Sequence, residues 1–222
     1  MRFTDVAARL EALPDVLPAP AEALMAVIVG TPDRRPPGFP PPGRTGRAAS
    51  VLVLVYPDEA GDARLVLIER TAHDGHHSGE VSFPGGKAEP GDADEAATAL
   101  REAAEEVALD AVAAGVRVVG TLERFWIPVS DFQVTPVVAI AERRLTLVSE
   151  PREVARILEP RVADFLPDAP IEIVERTVRD WPLRFGAYRI DGLTVWGATA
   201  RILSQLGQVV ADRVNWDESR AR

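Results

Sequence analysis

The stretch FPGGKAEPGDADEAATALREAAEEVALD, positions 83–110, constrains this chain more than any other. It opens on a glycine-rich loop and runs into DEAATALREAAEEVAL, where alanine, leucine and glutamate, all good helix formers, predominate. Ala96, Ala99, Leu100, Ala103 and Val107 recur at helical spacing and predict a buried stripe, with Asp92 or Asp94 placed to cap the first turn. At about 100° per residue, Glu102, Glu105 and Glu106 then share one face. Like charges so spaced repel, so that face must be well solvated or neutralised. For the helix alone, a solvated acidic face is the simpler reading. The loop upstream shifts the balance, because Gly85, Gly86 and Gly91 let backbone approach a ligand closely. Carboxylates converging with phosphate oxygens suit Mg2+ or Mn2+, hard cations that take oxygen ligands. Arg101, four residues before Glu105, is placed to hold a glutamate or balance its charge.

The rest of the chain supplies a scaffold of mixed type. ASVLVLVY and ARLVLIER, separated by PDEAGD, read as a β-hairpin, and GEVSF as a short strand leading into the glycines. VRVVGTLERFW, FQVTPVVAIA and LTLVSE read as strands, PREVARIL as a short helix, and RVADFL as a turn after it. RIDGL marks a second hairpin, and GATARILSQLGQVV a second clear helix. Phe3, Val6, Leu10 and Leu13 give the N-terminus an amphipathic helix. The segment TPDRRPPGFPPPGRTGR is too rich in proline and glycine for regular structure and reads as a surface loop. Strands and helices alternate without a clean βαβ rhythm, which predicts an α/β (α+β) fold with a mixed sheet and helices on both faces. The expected organisation is an N-terminal helix and proline-rich loop at 1–47, a main domain at 48–210 and a polar tail at 211–222.

Composition narrows the function. The chain has 222 residues and a formal charge of −9, which disfavours general binding to nucleic acid or a membrane surface. It has no cysteine, which excludes disulfides, thiolate metal sites and thiol nucleophiles. No apolar run reaches transmembrane length, and the N-terminus lacks a signal-peptide core, so a cytoplasmic protein is the expectation.

The loop and helix together resemble the signature of the Nudix hydrolases, G-x5-E-x7-R-E-U-x-E-E-x-G-U, where U is aliphatic. Gly86 opens it, Arg101-Glu102 and Glu105-Glu106 supply its charged pairs, and Leu109 closes it. Asp92 stands at the first glutamate, with eight residues rather than seven before Arg101. Ala103 takes the aliphatic position and Ala108 that of the late glycine, so a helix end without positive φ is expected there. Upstream, Arg70-Thr71 and GEVSFPGG are similar to the coenzyme A diphosphatase branch. Gly75 falls where that branch has an arginine, and His73, His76 and His77 surround it. Those histidines read as a polar loop able to touch substrate rather than as a zinc cluster.

The resemblance implies an α/β/α sandwich with a mixed β-sheet. It also implies hydrolysis of a nucleoside diphosphate linked to another group, here coenzyme A, using Mg2+ or Mn2+. It gives Glu102 and Glu106 as principal metal ligands, Glu105 as a further ligand or orienting base, and Arg101 as a clamp on the carboxylates. Gly85 and Gly86 become the substrate loop, with the Gly86 carbonyl as a backbone ligand. Arg70 becomes a phosphate contact, against an equal reading as a strand-end arginine in a surface salt bridge. Glu153 stands where several family members place a loop glutamate acting as general base, whereas its own surroundings favour an exposed glutamate at a helix start. Trp126 and Phe132 could stack on adenine, but aromatic residues so placed more often pack under a loop. Rival readings are a hydrolase for another dinucleotide such as NADH or ADP-ribose, and a non-catalytic binding module. The expected partner is a small-molecule substrate, and a homodimer is left open.

Overall fold

The computed structural model describes residues 1–30, 45–71, 79–128, 130–178 and 181–211. His73, Gly75, His76 and His77, most of the proline-rich segment and nearly all of the polar tail lie outside them. The run ASVLVLVY becomes the centre of the main sheet, as strand β2 (Arg47–Pro57), following helix α1 (Phe3–Leu10) and the short β1 (Val27–Ile28). Next come β3 (Ala63–Leu65), β4 (Leu67–Arg70), β5 (Val81–Ser82), β6 (Gly85–Lys87) and helix α2 (Glu95–Val107). Strands β7 (Arg117–Thr121), β8 (Phe125–Ile127), β9 (Phe132–Ile140) and β10 (Val154–Leu158) follow. The chain continues through β11 (Glu172–Val178), β12 (Trp181–Ile190), β13 (Leu193–Val195) and helix α3 (Gly197–Ala211).

Strand β2 lies parallel to β9 and antiparallel to β6 and β3, and β9 carries β7 and β8 on its far side. The sheet is therefore mixed. Both of its faces are covered, which explains the nearly unbroken apolar character of β2. Leu52, Leu54 and Tyr56 face Ala99, Ala103 and Val107 of α2. The alternate residues Val53 and Val55 join a second core with Val6 and Leu10 of α1 and Leu203 and Leu206 of α3. Period-two alternation in one strand thus builds two cores, with α2 on one side and α1 and α3 on the other. Helix α1 is part of this core rather than an outlying element.

The structure departs from several of these expectations. ARLVLIER is not one strand: it divides at Val66, and β4 leaves β3 to pair with β10 and β5. PREVARIL is not a helix but contains β10, whose residues pair antiparallel with β4. LTLVSE forms no strand. It runs extended past the end of α2, where the Val148 and Glu150 amides donate to the Val107 and Glu106 carbonyls at 3.0 and 2.9 Å. Those carbonyls have no partner within the helix, and this segment satisfies them. RVADFL does form a single 3-10 turn over Val162–Phe165. The RIDGL hairpin is present as β12 and β13, with Asp191 and Gly192 both at positive φ as a tight turn of the right hand requires.

Candidate metal and diphosphate site

The site begins at the entry to α2. Asp94 caps the helix by accepting the Ala97 amide at 2.8 Å. Asp92 does other work. Its two oxygens accept Nε and Nη2 of Arg101 at 3.0 and 3.1 Å, and Oδ2 also accepts Thr98 Oγ1 and the Glu89 amide, each at 2.9 Å. The Arg101 guanidinium leads the causes that hold the Asp92 carboxyl well below the usual carboxylate range. Fixed by Asp92 and by the Lys87 carbonyl, Arg101 pairs with Glu102 at 3.0 Å and Glu105 at 3.1 Å. It is a clamp on the carboxylates, and its anchor is the aspartate at the signature's first acidic position.

The three glutamates do not share one environment. Glu105 is 58% exposed and drawn outward by Arg101. Glu102 is 15% exposed and lies against the Gly86 α-carbon, where a β-carbon would sit 2.6 Å from its carboxylate. Glu106 is 1% exposed. Its Oε2 accepts the Gly85 amide at 2.8 Å and its Oε1 accepts Arg70 Nη1 at 3.0 Å. Gly85 has φ +152°, and a β-carbon there would fall 2.4 Å from the Ser50 carbonyl oxygen. Only glycine lets β6 come this close to β2 and still present its amide to Glu106.

Burial pushes the Glu106 carboxyl up to about 7, against the favourable pull of Arg70 and the Gly85 amide, while Glu102 and Glu153 push further in the same direction. Burial also raises Glu102; Arg101 opposes this, and Glu105 and Glu153 add to it. The helix therefore holds two carboxylates largely withdrawn from water and mutually repelling, which is the electrostatic condition a divalent cation relieves. The donor set is all oxygen, as a hard cation prefers, and the glycine cradle leaves room for the Glu102 carboxylate. The residues fit such an ion chemically. In this conformation, among the described residues, no three acidic or histidine side chains converge closely enough to hold one; the carboxylates are paired with Arg70 and Arg101.

Arg70 ends β4 and is bonded to a buried acid, so it is not merely a partner in a surface salt bridge. Glu153 lies exposed in a turn before β10, not at a helix start, and the Thr71 amide donates to its carbonyl at 2.9 Å. That position accounts for its influence on both Glu102 and Glu106. Trp126 is buried, its indole N–H donating to Asp131 Oδ1 at 3.0 Å, and Phe132 is covered by the Arg47 guanidinium, 4.2 Å from the ring centroid. Trp126 is thus tied to the loop, and Phe132 is half-buried beneath Arg47. Ala108 contradicts the expected helix end: it adopts φ +52° and ψ +36° and closes α2 as a left-handed residue. The sequence reading missed Asp92 as the anchor of Arg101 and Arg70 as the partner of Glu106. Only the first left a local trace, in Thr98 and Arg101 following Asp92 at six and nine residues.

A NUDIX domain model matches residues 46–173. Nudix hydrolase 22, chloroplastic, of Arabidopsis thaliana is 37% identical over 176 residues, covering 75% of this chain and 56% of that protein. Nudix hydrolase 15, mitochondrial, of the same plant is 34% identical and matched over 60% of its length, so the chain spans less than two thirds of either plant relative. The Nudix hydrolase NudL of Photorhabdus laumondii is 36% identical over 179 residues, covering 77% of this chain and 90% of NudL. Among solved structures, the M. smegmatis Nudix hydrolase RenU shares the fold with a TM-score of 0.51, over 75% of this chain and 87% of RenU, at 22% identity. No helix among the described residues is long and apolar enough to cross a membrane. With a family model over more than half of its residues and NudL matched over 90% of its length, this chain belongs to the Nudix family.

Proposed function

We propose that the chain hydrolyses the diphosphate linkage of coenzyme A or a derivative, giving adenosine 3',5'-bisphosphate and 4'-phosphopantetheine. The observation that carries the hydrolytic reading is the pair Glu102 and Glu106, held beside Gly86 and Gly85 with their charges confined away from water. The coenzyme A assignment rests on Arg70-Thr71 and GEVSFPGG, the motif leading into that cradle. We take 48–210 as the hydrolase domain, with the helix of the preceding 1–47 segment packed onto its core and the tail at 211–222 following.

Glu102 and Glu106 would hold Mg2+ or Mn2+, with Glu105 joining them or orienting the attacking water. When bound, the ion lowers the pKa of water and neutralises charge on the diphosphate oxygens. The remaining roles belong to side chains. Arg101 keeps Glu102 in place and does not act as an acid, since guanidinium does not give up its proton. Glu153, exposed at the rim, accepts the proton of the attacking water. Water adds its oxygen to one phosphorus while the bridging phosphoanhydride bond breaks, and the leaving phosphate carries away the bonding pair. Arg70 meets the negative charge of the diphosphate, for which a forked donor is suited. Gly85 and Gly86 allow the backbone to lie against it.

The test is turnover by the purified chain with Mg2+ or Mn2+ of coenzyme A, acetyl-coenzyme A, NADH and ADP-ribose. Release of adenosine 3',5'-bisphosphate is expected to be fastest. Gly75, where the resemblance calls for arginine, favours one second reading, a Nudix hydrolase for another nucleoside diphosphate derivative. Preferential cleavage of NADH or ADP-ribose would establish that reading instead. Metal-dependent turnover of any of these excludes a non-catalytic module.

A further inference from the structure

Glu106 has two partners of unequal permanence. Oε2 is held by the Gly85 amide, part of a strand paired to β2 and unable to leave without unpairing it. Oε1 is held by Arg70, a side chain on rotatable bonds, 26% exposed, at the last position of β4. A divalent ion arriving at Glu106 repels the guanidinium already there, and of the two partners only Arg70 can move away. It has somewhere to go. Val154 is the register partner of Arg70, so Glu153, one residue earlier, stands at the same edge of the site, on the solvent side.

We propose that Arg70 is a built-in counter-cation. It neutralises the buried Glu106 carboxylate in the metal-free protein, yields it to the incoming divalent ion, and turns its freed guanidinium to the diphosphate of the substrate. This rests on the reading of Glu106 as a metal ligand. It adds an order of events, since Arg70 becomes available to phosphate only once the ion has taken its place. Linkage makes the effect reciprocal: whatever removes Arg70 from Glu106 strengthens binding of the ion. The sign is informative, because a substitution that merely damages the site weakens metal binding.

The experiment measures Mn2+ binding to the full chain by electron paramagnetic resonance of the free ion, without substrate and at mildly alkaline pH. Arg70→Ala is expected to bind Mn2+ about tenfold more tightly than wild type, the scale of one charge-assisted bond lost as a competitor. Arg70→Gln, which keeps an N–H donor but not the charge, serves if the alanine variant folds poorly. Unchanged or weaker Mn2+ binding in a folded Arg70 variant overturns the proposal. Glu106→Gln separates the two readings: if it binds Mn2+ as wild type does, Glu106 is not a ligand and the underlying site assignment fails. If it binds weakly while the Arg70 variants match wild type, the site stands and the counter-cation does not. In the manganese-loaded protein, Arg70→Gln is expected to weaken binding of ADP, the diphosphate probe, and unchanged affinity would remove the second half of the proposal. In crystals grown with manganese, Arg70 should have left Glu106 Oε1.

Discussion

Replacing Glu106 by glutamine should abolish metal-dependent hydrolysis and, at alkaline pH, make the metal-free protein more stable. The carboxyl is 1% exposed, and burial lifts it from 4.5 to about 7. Its folded pKa lies above its unfolded one, so between these values the native state binds the extra proton. Stability conferred by the protonated form is complete below pH 4.5 and is lost as pH rises through about 7. At roughly 1.4 kcal/mol per unit, the interval amounts to about 3 kcal/mol of stability lost on ionisation. Glutamine cannot ionise, so it removes that loss. It introduces a misfit, because the Gly85 N–H and Arg70 both donate, and an amide can accept with only one atom. At about 1–2 kcal/mol for the misfit, the variant should exceed wild type by about 1 to 2 kcal/mol near pH 8 and fall level with it or below it, by no more than about 1 kcal/mol, near pH 5. Urea denaturation in the presence of a chelator, run for both proteins from about pH 5 to pH 8.5, measures the difference. Other titrating groups largely cancel between the two. Parallel stability curves across that range would refute the reasoning, since they would mean that the Glu106 charge carries no native-state penalty. Adding Mg2+ should recover stability in wild type and not in the variant.

Three further substitutions probe the scaffold. Gly86→Ala places a β-carbon 2.6 Å from the Glu102 carboxylate, the far end of a flexible side chain. Metal-dependent hydrolysis should fall at least tenfold by steady-state assay, with melting temperature nearly unchanged. Ala108→Gly relieves a left-handed alanine at the end of α2 and should stabilise by about 0.5–1 kcal/mol in denaturant titrations, with activity unaffected. Gly207→Ala drives a β-carbon to 1.8 Å from the Phe165 carbonyl oxygen, a backbone atom that cannot step aside. A loss of about 3 kcal/mol or more is expected by calorimetry, with activity per folded molecule retained.

What could be read from the sequence was what neighbouring residues determine. The α2 stripe, a cap at Asp92 or Asp94 and the Asp191-Gly192 turn each depend on residues within a few positions of one another, and each was legible, the structure choosing Asp94. Strand β10 was not. Val154, Ile157 and Leu158 are spaced as well for a helix as for anything else, and their strand geometry comes from pairing with β4, more than eighty positions earlier. LTLVSE failed for the opposite reason. Its strand-like composition serves an extended run whose partners are carbonyls at the end of α2, not another strand. On α2, the shared face of Glu102 and Glu106 was readable from their spacing. The Arg70–Glu106 bond crosses 36 positions, and nothing local announces it. Ala108 shows a limit of another kind, since alanine gives no hint that the chain end of α2 forces it into a conformation that glycine adopts more easily.

Two of the departures from the Nudix signature, the aspartate at 92 and the longer run before Arg101, meet at one contact. An aspartate is one methylene shorter than the glutamate it replaces, so its carboxylate reaches Arg101 only if its backbone stands closer. The turn provides that approach: the Asp92 amide donates to the Glu89 carbonyl at 3.0 Å, and the Glu89 amide returns a bond to Asp92 Oδ2 at 2.9 Å. Two residues further on, Asp94 caps α2, so the same connection carries both the anchor of Arg101 and the start of its helix. The result is an Arg101 guanidinium gripped on its Nε and Nη2 edge, which in turn settles where Glu102 lies against Gly86. Without Asp92 the Arg101 guanidinium would lose both of those bonds, and the Glu102 carboxylate the restraint that holds it at the glycine cradle.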